Sequence, residues 1–445
     1  MKKWLSRLWL AVSLPLLLNL PLCVGLLLWQ KLSIPGFLLL LLLGNLVFLR
    51  DSKRKDVSFR VQMMKEGGRL VYFGLYGMTV EILLVIRVYF QHALPFDPGP
   101  ALLAANAVFA FGGCALFLTL GVCLMILTSR RLGVVRRLMM ILTMWIPLLN
   151  LAVLLYACRL VYEEYDFEQE KAALRRLRVD SDLCKTRYPL VMVHGIGFRD
   201  LRYFNYWGRI PRELKRNGAT VYYGNQEAFG TIVYNAEDIK KRILQVMEET
   251  GCEKVNIIAH SKGGLDARYA VSRLGMGPYV ASLTTMNTPH RGCRFVDYAC
   301  RLPDGLYRLV AACFDQTFLR FGDRNPDFYT ATHQFSTKES EEFNRQVPDV
   351  PGVYYQSYTS KMKNLFSHLL LSIPYCMIRP LEGENDGLVS VTSAKWGEFQ
   401  GVFSNSHLRG ISHGDIIDLK REDYKGFDVV ETYIQIVSKL KEKGF

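Results

Sequence analysis

Residues 257–264 read IIAHSKGG, an apolar run that climbs into a serine with small residues beside it. A strained strand-to-helix turn that presents a nucleophilic serine usually reads G-x-S-x-G, and here Ala259 holds the first glycine position. The residues two before and two after the serine must be small, because strand and helix approach closely there, and alanine adds only one methyl group. A serine at this kind of junction otherwise serves as a helix N-cap. Acyl transfer would further need a base, a group to orient it, and donors for the oxyanion. Downstream, GENDGLVS sets Asp386 in a turn and ISHGDIID carries His413. The order serine, carboxylate, histidine suits His413 as the base for Ser261, with Asp386 holding the imidazole. His407, six residues earlier, competes for the role of base. The backbone N–H of Lys262 is one candidate oxyanion donor. The other is Ile196 in HGIG, where Gly195 and Gly197 let the loop turn tightly.

These residues need elements to bring them together. YPLVMVH (188–194) is a short continuous apolar run, as expected for a strand buried on both faces. PRELKRNG reads as a helix, ATVYYGN as a strand, and AEDIKKRILQVMEETG as a helix closed by Gly251. KVNIIAH, GGLDARYAVSRLG and VASLTTMNT (280–288) continue the alternation. Strands separated by helices predict a doubly wound, mostly parallel α/β sheet, in which chemistry gathers at the carboxyl ends of the strands. His194, Ser261, His290 and Asp386 fall at such ends.

The chain of 445 residues is half hydrophobic, and its apolar runs concentrate before residue 162. Five stretches, about 8–29, 34–49, 70–91, 101–128 and 138–161, are expected as transmembrane helices, the second being short. The predicted organisation is an all-α transmembrane region over 1–162, a charged helical connector over 163–185, and a soluble domain over 186–445. Basic residues cluster at the N-terminus, in RDSKRKDVSFR and at Arg130, Arg131, Arg136 and Arg137, whereas QHALPFDPGPA has neither Lys nor Arg. Basic loops stay cytoplasmic, so an odd number of spans would carry the soluble domain to the extracytoplasmic side of the cell membrane, and four would reverse it. Glu81 and Arg87 lie in or at the edge of the third stretch, where charges either act functionally or lock helices together.

The net charge of +14 is shared equally by residues 1–170 and 171–445. Its distribution between apolar spans is that of membrane topology and argues against a nucleic-acid partner. Ten cysteines without a C-x-x-C pair argue against a zinc or thioredoxin-like site, and their pairing stays open.

Taken together, YPLVMVHGIGF, YWGRIPRELKRNGATVYY, KVNIIAHSKGGLDARY, SLTTMNTPHRG, NDGLVS and HGD resemble the secreted bacterial triacylglycerol lipases of the alpha/beta-hydrolase fold. The resemblance covers most of residues 188–300 and parts of 340–420, and none of the membrane half, which those secreted enzymes lack. It implies carboxylic-ester hydrolysis with Ser261, Asp386 and His413 as triad, and a mobile helical lid. The apolar insertion at about 293–345 is the expected lid. Many members bind calcium through two aspartates, one placed like Asp415, but residues 358–381 offer no second aspartate, so neither metal nor cofactor is expected. The expected function is a membrane-anchored serine hydrolase acting on a lipid or other ester beside the bilayer. The alternatives are an acyltransferase using the same triad and a membrane sensor or scaffold with an inert hydrolase domain. Oligomeric state is not legible.

Overall fold

The computed structural model describes residues 2–48, 57–91, 94–178, 182–197, 205–301, 303–320, 322–405, 408–421 and 427–445. It separates into two compact units, Met1–Leu177 and Arg178–Phe445.

Among the described residues the first unit is helical: α1 Lys2–Leu18, α2 Leu20–Trp29, α3 Ile34–Phe48, α4 Phe59–Gln91, α5 Gly99–Thr128, α6 Gly133–Leu142 and α7 Pro147–Leu177. Among the described residues two helices are long and apolar enough to cross a membrane, within α4 and α5. The pair α1–α2, bent by 82°, makes a third if taken as one span. That is fewer than the five expected, for physical reasons that the apolar runs hide. Asn19 and Pro21 break the first run. The third helix, α3, has only 15 residues. At a rise of about 1.5 Å per residue it reaches about 22 Å, short of a hydrocarbon core of about 30 Å. The last run is cut by a 3-10 turn at Thr143–Trp145 and restarted at Pro147, after which Asn150, Arg159, Glu163 and Glu164 interrupt α7. The charged stretch expected as a separate connector is largely the second half of this same helix.

The antiparallel helices α4 and α5 come within backbone contact at Gly67 and Gly121, where any side chain at 121 would strike the Gly67 carbonyl. Small residues at such crossings are what lets two helix backbones approach so closely. Glu81 is buried and accepts from Asn19 Nδ2 at 2.5 Å. Asn106 donates to Asn19 Oδ1 at 2.7 Å and accepts from the Leu22 N–H. The Glu81 carboxyl thus ties the broken first run to α4 and α5. At the other end of the bundle, Glu164 of α7 accepts from Ser129 Oγ at 2.7 Å, from the N–H groups of Arg130 and Arg131, and from Arg60 at 2.9 Å. Farther in, Cys158 packs with Gly68 and Met125. As it nears Glu164, α7 therefore runs toward the basic end where α4 begins and α5 stops.

The second unit is built on six strands: β1 Leu190–Val193, β2 Val221–Tyr223, β3 Val255–His260, β4 Val280–Met286, β5 Tyr354–Ser360 and β6 Glu398–Phe403. All neighbours pair in parallel, in the order β2-β1-β3-β4-β5-β6. Every residue of β1, β3 and β4 is buried, which accounts for the unbroken apolar run of β1. The crossovers include α8 Ile210–Arg216, α9 Ile232–Thr250 and α10 Lys262–Arg273. Gly251, left-handed at φ 68°, ends α9 as expected, since a glycine takes that conformation without strain. Leu190, Met192 and Ile258 pack on one side of the sheet with Trp207, Ile210 and Tyr433. Val191, Val193, Ile257 and Ala259 pack on the other with Ile239, Ile243 and Ala267. Each such fully buried large aliphatic side chain contributes roughly 1.5–3 kcal/mol.

Between β4 and β5 the described residues form α11 Arg294–Ala299, α12 Asp304–Arg320, α13 Phe328–His333 and α14 Thr337–Gln346. Leu306, Leu309, Val310, Phe314 and Leu319 of α12 are exposed. Between β5 and β6 come two 3-10 turns, Leu365–Ser367 and Leu369–Leu371, then α15 Ser372–Glu382. The C-terminal α16, Val429–Glu442, packs beside α8.

Candidate active site

Ser261 follows the last residue of β3 and precedes α10. Its backbone sits at φ 53° and ψ −130°, a conformation that a β-carbon makes costly. The tight turn is possible because its neighbours are small. A side chain at Gly263 would meet the His194 carbonyl, one at Gly264 would meet Thr288, and one at Gly195 would meet the Ser261 β-carbon. Ala259, fully buried, pairs with Val193 and Thr285 on either side, so the sheet accommodates its methyl group.

The structure brings Ser261, His413 and Asp386 together from positions up to 152 residues apart in sequence. Ser261 Oγ lies 3.0 Å from His413 Nε2, and His413 Nδ1 lies 2.7 Å from Asp386 Oδ2. A carboxylate only accepts, so Nδ1 carries the proton and Nε2 is left to accept from the serine hydroxyl. The other Asp386 oxygen accepts from the N–H groups of Leu388 and Val389 at 2.9 and 2.7 Å, and Oδ2 also accepts from Asn287 Nδ2. The His413 N–H donates to the Asp386 carbonyl at 2.9 Å, which fixes one loop on the other. Asp386 is fully buried, while Ser261 and His413 keep a small exposed area. Among the described residues, none accepts from the backbone N–H of Ile196 or Lys262. His407 lies outside the described residues.

Two histidines noted only as strand-end residues have structural partners. His194 bonds the carbonyls of Gly195 and Gln226. His290 contacts Thr285 and Arg268 and stacks on Trp396. Burial pushes its pKa well below the usual histidine value, and the neighbouring Arg268 adds to this. The residue before the serine, His260, was missed by the sequence reading. Its Nδ1 is 2.7 Å from Tyr206 Oη and its ring packs on His413. Burial and the nearby His413 lower its pKa well below the usual value. The side chain of Lys262 is also unexpectedly buried, 2.6 Å from Asp266, which in turn accepts from Asn235. Burial raises the Asp266 carboxyl to about 6 even with those donors beside it.

Asp415 is buried, accepts from the Ser412 N–H at 3.0 Å, and lies 3.5 Å from Lys420. A carboxylate so employed as a loop cap beside an ammonium does not fit a calcium ligand. All ten cysteines are unpaired thiols.

Residues 188–370 match the alpha/beta hydrolase fold family. Triacylglycerol lipase 2 of Saccharomyces cerevisiae is 28% identical over 278 residues, covering 56% of this chain and 77% of that protein. The triacylglycerol lipase of Pseudarthrobacter phenanthrenivorans is 33% identical over 213 residues, covering 44% of this chain and 66% of that protein. A triacylglycerol lipase of Pseudomonas fragi is 28% identical over 298 residues, covering 59% of this chain and 99% of that one. The second unit of this chain is a lipase-type alpha/beta-hydrolase, a carboxylic-ester hydrolase.

Proposed function

We propose that Ser261, His413 and Asp386 are a catalytic triad that hydrolyses carboxylic esters of lipids through an acyl-enzyme. The observation that carries this is the unbroken chain from Ser261 Oγ through His413 to Asp386, at 3.0 and 2.7 Å. In this reading Ser261 Oγ attacks the ester carbonyl while its proton passes to His413 Nε2. Asp386 steadies the imidazolium, and the N–H groups of Ile196 and Lys262 take the oxyanion. Collapse expels the alcohol, which leaves with the proton from His413. Water then enters by the same route in reverse and frees the acid. The test is Ser261→Ala, which should lower kcat for p-nitrophenyl butyrate by roughly 10⁴–10⁶-fold and abolish labelling by a fluorophosphonate. Unchanged hydrolysis would refute the assignment, and absence of labelling in the native chain would favour an inert scaffold. Product analysis with added alcohol or lysolipid separates hydrolysis from acyl transfer.

The helices of the first unit are proposed to anchor the enzyme in a membrane, and the insertion over 293–345 to cover the site as a lid. The outer-face placement expected above rests on five spans. Two observations support the opposite side: the two unbroken candidate spans among the described residues are an even number, and Glu164 contacts Arg60 and the turn after α5. With α6 and the start of α7 read as a hairpin that enters and returns, the hydrolase unit leaves on the basic, cytoplasmic side.

A further inference from the structure

The excursion between β5 and the loop that bears Asp386 turns a row of apolar side chains outward. Phe366, Leu369, Leu370 and Ile373 are 79, 87, 82 and 72% exposed, and Leu408 beside them is 80% exposed. Monomeric surfaces seldom leave so contiguous an apolar group in water.

This exposure is built into the fold. Asn364 caps the first turn by accepting from the Phe366 N–H at 3.0 Å and donates to the Leu408 carbonyl at 2.8 Å. Arg409 donates twice to the Ser367 carbonyl. On α15, Tyr375 and Ile378 are buried, so the helix is held by one face and shows Ile373 on the other. Leu371 rests on Gly387, next in sequence to Asp386, where any β-carbon would lie 2.8 Å from it. The segment is also joined to the insertion over the site, because Glu382 accepts from the Arg294 N–H at the start of α11.

Its charges lean positive. Between Asp349 and Glu382 the chain has no acidic residue; Lys361 pairs with Glu384 at 2.7 Å, while Lys363 and Arg379 lie within that stretch and Arg409 beside it. Apolar side chains that enter the acyl boundary, flanked by cations at headgroup level, suit an anionic bilayer. The candidate spans of the same chain keep such a bilayer at high effective concentration.

We propose that residues 365–373, with Leu408, form a docking surface for an anionic phospholipid bilayer, through which lipid-phase esters reach Ser261. The surface itself is independent of the assigned chemistry; delivery of esters rests on the triad reading.

The test uses the full chain in nanodiscs of phosphatidylcholine with or without phosphatidylglycerol. The triple substitution Leu369→Asp, Leu370→Asp, Ile373→Asp should cut hydrolysis of a long-chain ester dissolved in the disc at least about tenfold and leave water-soluble p-nitrophenyl butyrate turnover unchanged. Equal loss on both esters, or unchanged turnover of both, would overturn the proposal. The conservative Phe366→Trp chain gives a readout that needs no activity. Its added fluorescence should be quenched by lipids brominated on the acyl chain, more strongly in discs containing phosphatidylglycerol. No added quenching, equal quenching in both discs, or crosslinking to a second copy in its place would overturn the docking surface. A native chain inactive on p-nitrophenyl butyrate would instead sink the triad reading, and the quenching would still decide docking.

Discussion

The imidazole of His260 lies 4.6 Å, centroid to centroid, from that of His413, tilted by 51°, and is held from behind by Tyr206 Oη at 2.7 Å. Burial holds the pKa of His260 well below the usual histidine value. It therefore acts on His413 by packing and not by charge. His260→Phe should lower kcat about tenfold through misplacement of the base, with KM and the midpoint of the ascending pH limb unmoved. A shifted midpoint would show instead that His260 carries charge in the active enzyme.

Asp386 has both carboxylate oxygens engaged, one of them by Asn287, whose Nδ2 also donates to Ser360 Oγ at 2.7 Å. Asp386→Asn should favour the wrong imidazole tautomer and cost about 10⁴ in kcat. Asn287→Ala leaves the carboxylate its backbone donors and should cost roughly tenfold. Steady-state kinetics on p-nitrophenyl butyrate checks both, and an Asn287→Ala loss as deep as that of Asp386→Asn would contradict the ranking.

The buried pair Lys262–Asp266 begins at the residue after Ser261. Lys262→Met alone leaves a buried carboxyl without its cation and should destabilise the hydrolase unit by about 3–5 kcal/mol, whereas Lys262→Met with Asp266→Leu should recover most of that. Thermal unfolding in detergent followed by tryptophan fluorescence distinguishes additive from compensating changes.

Acid should weaken the second unit through His260 and His290. Both have folded pKa values well below that of an unfolded histidine, so the unfolded chain binds protons first as pH falls below about 6.5. Stability contributed by keeping them neutral is complete above that pH and declines below it, by about 1.4 kcal/mol per pH unit for each histidine. Denaturation midpoints measured between about pH 7 and 5 should fall less steeply in His290→Gln than in the native chain.

Protease added to sealed right-side-out vesicles should spare the hydrolase unit, and inverted vesicles should expose it. The reverse pattern would mean that α7 crosses the bilayer and that its contact with Arg60 is not formed in the membrane.

Much of this arrangement was legible along the chain. The continuous run at 188–194 marked a buried parallel strand, since a strand covered on both faces has no polar side to show, and KVNIIAH at 254–260 continued the alternation of strand and helix. Glycines around Ser261 disclosed a turn that tolerates no side chains. By contrast, β5 reads YYQSYTS and β6 EFQGVF, with too few aliphatic residues to stand out, although each is paired in the sheet. The apolar run before Asp386 supplies the exposed excursion over 365–373, because exposure of an apolar residue depends on its neighbours and not on its type.

Sequence alone singled out Ser261, Asp386 and His413 as candidates in that chain order, since small residues crowd the serine and the other two sit in short turn motifs. Tertiary structure decided which histidine meets the serine, that His260 and Tyr206 back it, and that Lys262 turns inward to Asp266. It also decided how many apolar runs are long enough to span. A broken helix and an unbroken one have nearly the same composition; only the backbone path at Asn19 and Pro147, and the contact of Glu164 with Arg60, tells them apart.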